Sequence, residues 1–215
     1  KNVSSLVMFT VTASLSASIR YILGGEAGGY HFYGTSTGGK TTMLQAGASV
    51  WGNAADPGIS GGEKVYLIRW NTTSNALEAT AESLNDLPMI IDEIGEGNAV
   101  EFGDNIYKII SGTGRRRSKA NGDLQVGKAW RGCILSAGEI AVADYIESGG
   151  KPVKAGQLVR MVDMGVEQDK ALFSSGSEVK AMKNLCANHY GLVGPEFIKR
   201  LPEITQKWKE FDQSK

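Results

Sequence analysis

The stretch that most restricts how this chain can fold runs from Gly34 to Thr41 and reads GTSTGGKT, a full match to the pattern G-x-x-x-x-G-K-[S/T]. Glycines let the backbone curl so that successive N–H groups point at one anion, while the lysine and the hydroxyl residue supply a cation and a metal ligand. Such a loop needs a strand before it and a helix after it, which the sequence predicts at Tyr30–Tyr33 and Gly39–Trp51. The predicted nucleotide-binding residues are Gly34, Thr35, Ser36, Thr37, Gly38, Gly39, Lys40, Thr41 and Thr42.

A second motif is an apolar run that ends in two carboxylates, Asp92 and Glu93, which is the pattern of a Walker B strand. With the glycine-rich loop upstream, we predict ATP and Mg²⁺ as cofactors. Lys40 would contact the β and γ phosphates, and Thr41 and Asp92 would hold the metal ion. Glu93 would polarise the attacking water, a role that favours a hydrolase over a phosphotransferase.

A third strand end carries Ser136, followed closely by Glu139. In P-loop ATPases with an additional strand, the fourth strand lies between the loop strand and the Walker B strand, so its polar tip faces the terminal phosphate. Ser136 fits this sensor role as a catalytic residue, and Glu139 is a second candidate. The alternative, that the serine only ends a strand and caps the next helix, is about equally well supported.

Two basic features complete the set of candidate site residues. The one dense cluster comprises Arg115, Arg116, Arg117 and Lys119. It would contact a nucleic-acid backbone or form a solvated loop. Because the formal net charge is zero, any DNA contact must come from such a local patch. Arg160, in the predicted strand Leu158–Val162, would be either an arginine finger for a neighbouring subunit or a partner of Asp163 or Glu139.

The order of predicted elements indicates an α/β fold, because strands alternate with helices and so form a parallel sheet covered on both faces. We expect a core over residues 1–170 with an N-terminal helix, and a helical tail or lid over residues 171–215. Two cysteines without a metal-binding or redox spacing favour a reducing, cytoplasmic location. No run is long and apolar enough to predict a membrane span. The absence of an initial methionine suggests a piece of a longer protein.

Taken together, these residues resemble the domain of unknown function 927 family, P-loop proteins of phages and mobile elements that are often joined to primase modules. The resemblance rests on His31–Gly34, the Asp92–Gly95 and Leu135–Glu139 segments, Arg160, and His189–Gly191. Some relatives look like MCM-type helicases of the AAA+ class. One departure is Ala137, which leaves open whether position 136 or 137 is the sensor.

The resemblance implies a five-stranded, mainly parallel sheet of order 5-1-4-3-2 and a hexameric ring that translocates DNA. It also implies that Arg160 is the arginine finger and that the Arg115–Lys119 segment belongs to a pore hairpin. The sequence therefore favours an ATP-hydrolysing helicase or translocase motor. The alternative is an ATP-dependent switch or assembly factor without motor activity.

Overall fold

A computed structural model describes residues 4–36, 38–58, 64–114, 129–166 and 172–213 of the chain. Its strands are β1 (Gly28–Tyr33), β2 (Ile68–Arg69), β3 (Pro88–Asp92), β4 (Cys133–Gly138) and β5 (Met161–Gly165). The helices of its first half are α1 (Ser5–Arg20), α2 (Lys40–Ser49), α3 (Ser74–Ser83) and α4 (Ala99–Ser111). Those of its second half are α5 (Val142–Ser148), α6 (Ala155–Leu158), α7 (Gly176–Asn188), α8 (Val193–Lys199) and α9 (Leu201–Gln213).

The five strands form one sheet in the order β2-β3-β4-β1-β5, and every paired neighbour runs parallel. Read from the β5 edge, this order is 5-1-4-3-2. All residues of β3 and β4 are buried, which is typical of central strands covered by helices on both faces. The chain is therefore a mixed α/β protein, as the alternation of apolar runs and helices predicts.

Each face of the sheet has its own apolar core. On one face, α1, α2 and α7 cover Phe32, Ile90 and Leu135. On the other face, residues of α3, α4 and α5 pack on Ile91 and Ile134. Because side chains alternate along a strand, neighbouring residues of β3 and β4 serve the two cores in turn. Because β3, β4 and β1 are parallel neighbours, their carboxyl ends meet at one edge of the sheet.

The fifth strand begins later than the sequence predicts. Residues Ala155–Leu158 form the short helix α6, in which the Gln157 side-chain oxygen accepts a hydrogen bond from the Lys154 N–H at 2.9 Å. This bond favours a helical turn where the apolar pattern predicts a strand. Arg160 therefore precedes β5 and does not lie inside it. Moreover, β5 is an edge strand, and Arg160 is only partly buried.

The start of the predicted tail packs against the core. Helix α7 lies on α2, and Cys186 belongs to the apolar core on that face. The Gly191 N–H donates to the Ser49 carbonyl at 2.8 Å, and Gly194 lies against the ring of Trp51. A division of the chain at residues 170 and 171 stays a prediction.

The segment that contains Arg115, Arg116, Arg117 and Lys119 lies outside the described residues. On either side of it, Thr113 and Ala129 form an antiparallel bridge, and the Trp130 N–H donates to the Gly112 carbonyl at 2.9 Å. The two ends of this segment thus emerge side by side, at the amino end of β4.

A membrane span requires a long apolar helix, and none of the described helices meets that requirement.

Candidate functional site

A cavity of about 390 Å³ opens at the carboxyl ends of β1, β3 and β4. This is the edge where open parallel α/β sheets bind ligands. The lining residues are Ser36, Gly38, Gly39, Lys40, Thr41, Thr42, Asp92, Glu93, Gly138, Glu139, Gly176, Val179 and Lys183. The two sequence motifs, 52 residues apart in the chain, therefore meet around one space.

The glycine-rich loop has a backbone that only glycine accommodates at two points. Gly34 has φ +155°, and a Cβ there would lie 2.6 Å from the Val166 carbonyl oxygen. Gly39 has φ +82° and precedes α2 with no side-chain cap on the first N–H groups of that helix. Uncapped N–H groups and the helix dipole favour an anion at this position. Thr37, the remaining predicted loop residue, lies outside the described residues.

Lys40 is nearly buried, with 8% of its surface exposed. Its Nζ donates hydrogen bonds to the carbonyls of Gly34, at 2.9 Å, and Thr35, at 2.7 Å. Burial lowers the pKa of Lys40, although the nearby carboxylates of Glu139, Glu93 and Asp92 oppose that shift. The ammonium group is thus held at the cavity wall by oxygen atoms that an anionic ligand would replace.

Asp92 ends β3 with 8% of its surface exposed, and its carboxylate forms a hydrogen bond with the Thr41 side chain. Burial raises the pKa of Asp92, and that hydrogen bond partly offsets the shift. A buried carboxylate next to a hydroxyl is an oxygen donor set that suits Mg²⁺. The described residues contain no group of three or more His, Cys, Asp or Glu side chains that would bind a metal alone. Such a pair fits a Mg²⁺ ion that shares its ligands with phosphates.

Glu93 adopts a left-handed backbone conformation, with φ +59°. For a residue with a Cβ this conformation is uncommon and costs on the order of 1 kcal/mol. The turn keeps Glu93 at the cavity, where it faces Lys40 and Glu139. Burial, followed by repulsion from Asp92, raises the pKa of Glu93. A carboxylate with a raised pKa is a better proton acceptor, which suits general-base chemistry.

Glu139 follows β4 and lines the cavity opposite the glycine-rich loop. Its carboxylate accepts a hydrogen bond from the Ser36 hydroxyl. This contact joins the tip of β4 to the loop across the cavity. Glu139 is therefore a polar group that reaches the space from β4.

Ser136 occupies a different environment from Glu139, because it is fully buried. The Trp70 Nε1–H donates to its Oγ at 2.9 Å, and its Oγ lies 3.1 Å from Nδ1 of His31. Nε2 of His31 lies 2.9 Å from the Ile140 carbonyl, so Nε2 carries the proton and Nδ1 accepts one from Ser136. The Ser136 hydroxyl is thus fully used by internal partners, and its role as a sensor stays a prediction.

The His31 network makes a testable prediction about stability. Burial lowers the pKa of His31 from 6.5 to about 4, so the fold favours the neutral ring. The contribution of the neutral His31 ring to the free energy of unfolding is complete above pH 6.5. It is lost as the pH falls from 6.5 towards 4, by about 3 kcal/mol in total. Denaturant unfolding of the wild type and of His31→Gln should show a stability difference that shrinks over this interval. The exposed His189→Gln is the matched control, and an unchanged difference would contradict the prediction.

Arg160 lies far from this cavity, next to the amino end of β5. Its Nη1 donates to the Gly156 carbonyl at 3.0 Å, and its guanidinium lies 5.2 Å from the centre of the Tyr107 ring. Within the described part of the chain, it forms no ion pair with Asp163 or Glu139. Asp163 instead accepts the Val142 N–H at 3.1 Å. The finger interpretation of Arg160 stays a prediction.

Sequence reasoning did not place the α7 residues Gly176 and Val179 in the site, although they line the cavity together with Lys183. A lysine on an exposed helix, such as Lys183, is a weak sequence signal, because surface lysines at helical spacing are common. Helix α7 reaches the cavity because it packs on α2, a long-range arrangement that no local pattern encodes. His31 was also missed, and a histidine two positions before the end of an apolar strand was the available signal.

The parallel sheet and the cleft at its carboxyl edge define an α/β protein whose architecture is consistent with P-loop NTPases. The model of the family described as Domain of unknown function (DUF927) matches residues 2–129, more than half of the 215 residues, and the chain belongs to that family. No curated protein sequence matches the chain.

Among solved structures, one described as "SCCmec type IV Cch - active helicase" is similar, with a TM-score of 0.70 and 24% sequence identity. The similarity covers 98% of this chain and 38% of that one, so this chain corresponds to less than half of the helicase. A second structure is NtrX from Brucella abortus in complex with ADP, with a TM-score of 0.38 and 12% identity over 82% of this chain and 48% of that one. The first similarity supports the fold, and the second carries no weight.

Proposed function

We propose that this chain is the ATP-binding and ATP-hydrolysing unit of a helicase or translocase that acts on DNA in phage or mobile-element replication. One observation carries the proposal. Lys40, Thr41, Asp92 and Glu93 line a single cavity at the carboxyl edge of a parallel sheet. This is the constellation that phosphoryl transfer from a nucleotide requires.

The glycine-rich loop would hold the phosphates of ATP. The uncapped N–H groups at the start of α2 would donate to phosphate oxygens, and Lys40 would exchange the Gly34 and Thr35 carbonyls for the β and γ phosphates. Thr41 and Asp92 would hold Mg²⁺, which when bound neutralises phosphate charge and orients the terminal phosphate.

Hydrolysis requires a group that accepts a proton from water. Glu93 would serve as this base, because its carboxylate borders the cavity and its pKa is raised. On β4, Glu139 is the side chain at the cavity, whereas Ser136 is engaged with His31 and Trp70. We therefore favour Glu139 over Ser136 as the β4 group that senses the terminal phosphate.

A ring of subunits would complete the site. We propose an AAA+-like homo-hexamer in the full-length protein, in which Arg160 acts on the nucleotide of a neighbouring copy. Arg160 lies at the amino end of β5, whereas the nucleotide cavity of the same chain lies at the carboxyl ends of β1, β3 and β4. This separation supports action of Arg160 on the nucleotide of another subunit. A primase module elsewhere in the full-length protein is also proposed, on the family resemblance alone.

DNA is the proposed macromolecular partner, through Arg115, Arg116, Arg117 and Lys119. The description of the similar solved structure as a helicase supports this choice. The described residues that flank this segment, Thr113 and Ala129, form an antiparallel bridge.

The decisive measurement is ATP turnover with and without single-stranded DNA. We expect Mg²⁺-dependent hydrolysis that DNA stimulates severalfold, and we expect rising salt to weaken the stimulation because phosphate contacts release counterions. Neutralising Arg115 and Arg117 together should remove the stimulation but leave basal turnover intact. The matched control neutralises Lys199, the last residue of α8, and Arg200, which follows it. ATP turnover that does not change with DNA would favour the ATP-dependent switch. An absence of ATP binding would overturn both the motor and the switch.

A further inference from the structure

A second cavity, of about 510 Å³, opens at the opposite edge of the sheet. It lies beside the amino ends of β1 and β5, and its walls include Arg20, Gly28, Gly156, Arg160 and Val162. Its volume falls in the range of about 300–1,000 Å³ that small-ligand sites occupy. Neither motif of the candidate nucleotide site contributes to it.

Arg20, the last residue of α1, forms one wall of this second cavity. Its Nη1 donates to the carbonyls of Gly28, at 3.3 Å, and Glu26, at 3.4 Å, and its Nη2 lies 3.4 Å from Cys133 Sγ. These contacts are long for charged donors, which usually approach an oxygen to about 2.7–2.9 Å. They hold the guanidinium in place without neutralising it.

Arg160 lines the same cavity. The Gly156 carbonyl and the Tyr107 ring fix its guanidinium, and neither carries a negative charge. Among the described residues, Arg20 and Arg160 form no ion pair with any carboxylate. One carboxylate, of the exposed Glu26, also borders the cavity, so the two arginines leave its walls with a net positive charge.

Glycines keep the arginines accessible to a ligand. A Cβ on Gly156 would lie 3.1 Å from Arg160 Nη1. A Cβ on Gly28 would lie 3.2 Å from the Arg160 carbonyl and 3.7 Å from Arg20 Nη1. A side chain at Gly156 would crowd the Arg160 guanidinium, and one at Gly28 would contact that of Arg20.

We propose that this second cavity, with Arg20 and Arg160, is a binding site for a phosphate group. Arginine presents a planar fork of N–H donors that matches phosphate oxygens, and two such forks on one cavity are suited to a doubly charged anion. The phosphate would belong either to a free small molecule or to a nucleotide held by a second copy of this chain. The proposal stands on the cavity itself, whether or not the glycine-rich loop binds ATP.

The test uses inorganic pyrophosphate and the full chain carrying Lys40→Ala, which removes the cation of the glycine-rich loop. Titration calorimetry should detect one pyrophosphate per chain. Adding Arg160→Gln or Arg20→Gln should weaken binding at least about tenfold, as expected for the loss of a charge-assisted contact. Arg131→Gln is the matched control, because Arg131 is an arginine near the same edge that Asp86 already neutralises.

Arg20 also bonds to the backbone, so folding of each variant is checked by thermal unfolding. If Arg20→Gln does not fold, Gly156→Ala tests the site with both charges present, and it should also weaken pyrophosphate binding. The proposal is overturned if pyrophosphate does not bind, or if the Arg160→Gln and Gly156→Ala chains bind it as tightly as the Arg131→Gln chain.

A further experiment uses chains that keep Lys40 and distinguishes the two sources of the phosphate, a free compound and a nucleotide held by a second copy. If Arg20→Gln lowers ATP turnover only at chain concentrations where copies associate, the phosphate comes from a neighbouring nucleotide. If turnover is unchanged while pyrophosphate binding is lost, the ligand is a free phosphate compound. Failure of the proposed ATPase activity would appear separately, as an absence of ATP binding to the wild-type glycine-rich loop.

Discussion

Lys40→Ala is expected to lose hydrolysis and to weaken ATP binding by about 100-fold. The nearly buried Lys40 side chain borders the cavity, where a charge-assisted hydrogen bond contributes up to about 3 kcal/mol, and each 1.4 kcal/mol is a factor of ten. Removing it also frees the Gly34 and Thr35 carbonyls that it holds. Nucleotide binding would be measured by titration calorimetry and turnover by phosphate release.

The control for this prediction is Lys180→Ala, a lysine on α7 that is exposed and does not line the cavity. Lys183→Ala, one turn further along α7, should have a smaller effect than Lys40→Ala because the Lys183 side chain is exposed. The lowered pKa of Lys40 adds a pH dependence, since the ammonium loses its proton at lower pH than an ordinary lysine and ATP affinity should weaken as the pH rises. ATP binding by Lys40→Ala with wild-type affinity would exclude the glycine-rich loop as the site.

The parts of this molecule that the sequence predicts are those in which local pattern and backbone chemistry coincide. Gly34 and Gly39 lie at positions that need a positive φ, so the spacing of these glycines in the sequence indicates the backbone conformation of the loop. The run that ends at Asp92 is apolar at every position because β3 is covered on both faces. The parallel connection of such strands then brings both motifs to one edge of the sheet.

Other features escaped prediction because they depend on contacts between distant residues. The start of β5 was misplaced because the apolar residues Leu158 and Val159 precede it, and the capping bond from Gln157 that favours α6 is not evident from the apolar pattern. Ser136 looks like a sensor from its place at a strand end. Its partners, His31 and Trp70, come from other elements, so the sequence does not predict the hydrogen bonds that its hydroxyl forms with them.

The two cavities lie at opposite edges of the same sheet. The Lys40 cavity lies at the carboxyl ends of the strands, and the Arg20–Arg160 cavity lies at the amino ends of β1 and β5. Strand β1 joins them, because Gly28 borders one cavity and the residue after Tyr33 begins the glycine-rich loop. If copies associate with one cavity facing the other, each nucleotide would contact groups from both edges of the sheet.

Arg160→Ala is expected to reduce ATP turnover by about 1,000-fold or more while leaving ATP affinity unchanged. An arginine that stabilises the transition-state charge from a neighbouring subunit contributes an effect of this size, and its loss leaves the nucleotide contacts of its own subunit intact. Steady-state turnover and calorimetric ATP binding would be compared for wild type, Arg160→Ala and Arg160→Lys. The lysine variant keeps the charge but not the planar fork, so it should recover little activity.

Mixing two inactive variants decides whether Arg160 acts between subunits. Glu93→Gln lacks the proposed base but keeps Arg160, and Arg160→Ala keeps Glu93, so each should be inactive alone. In rings assembled at random from equal amounts, about a quarter of the interfaces would pair an intact Glu93 with an intact Arg160, and turnover should reappear. Mixing Glu93→Gln with Lys40→Ala is the control and should restore no turnover, because every subunit then lacks a group that its own cavity requires. Absence of rescue in the first mixture, with mixed rings demonstrated by sizing, would mean that Arg160 does not act on a neighbour's nucleotide.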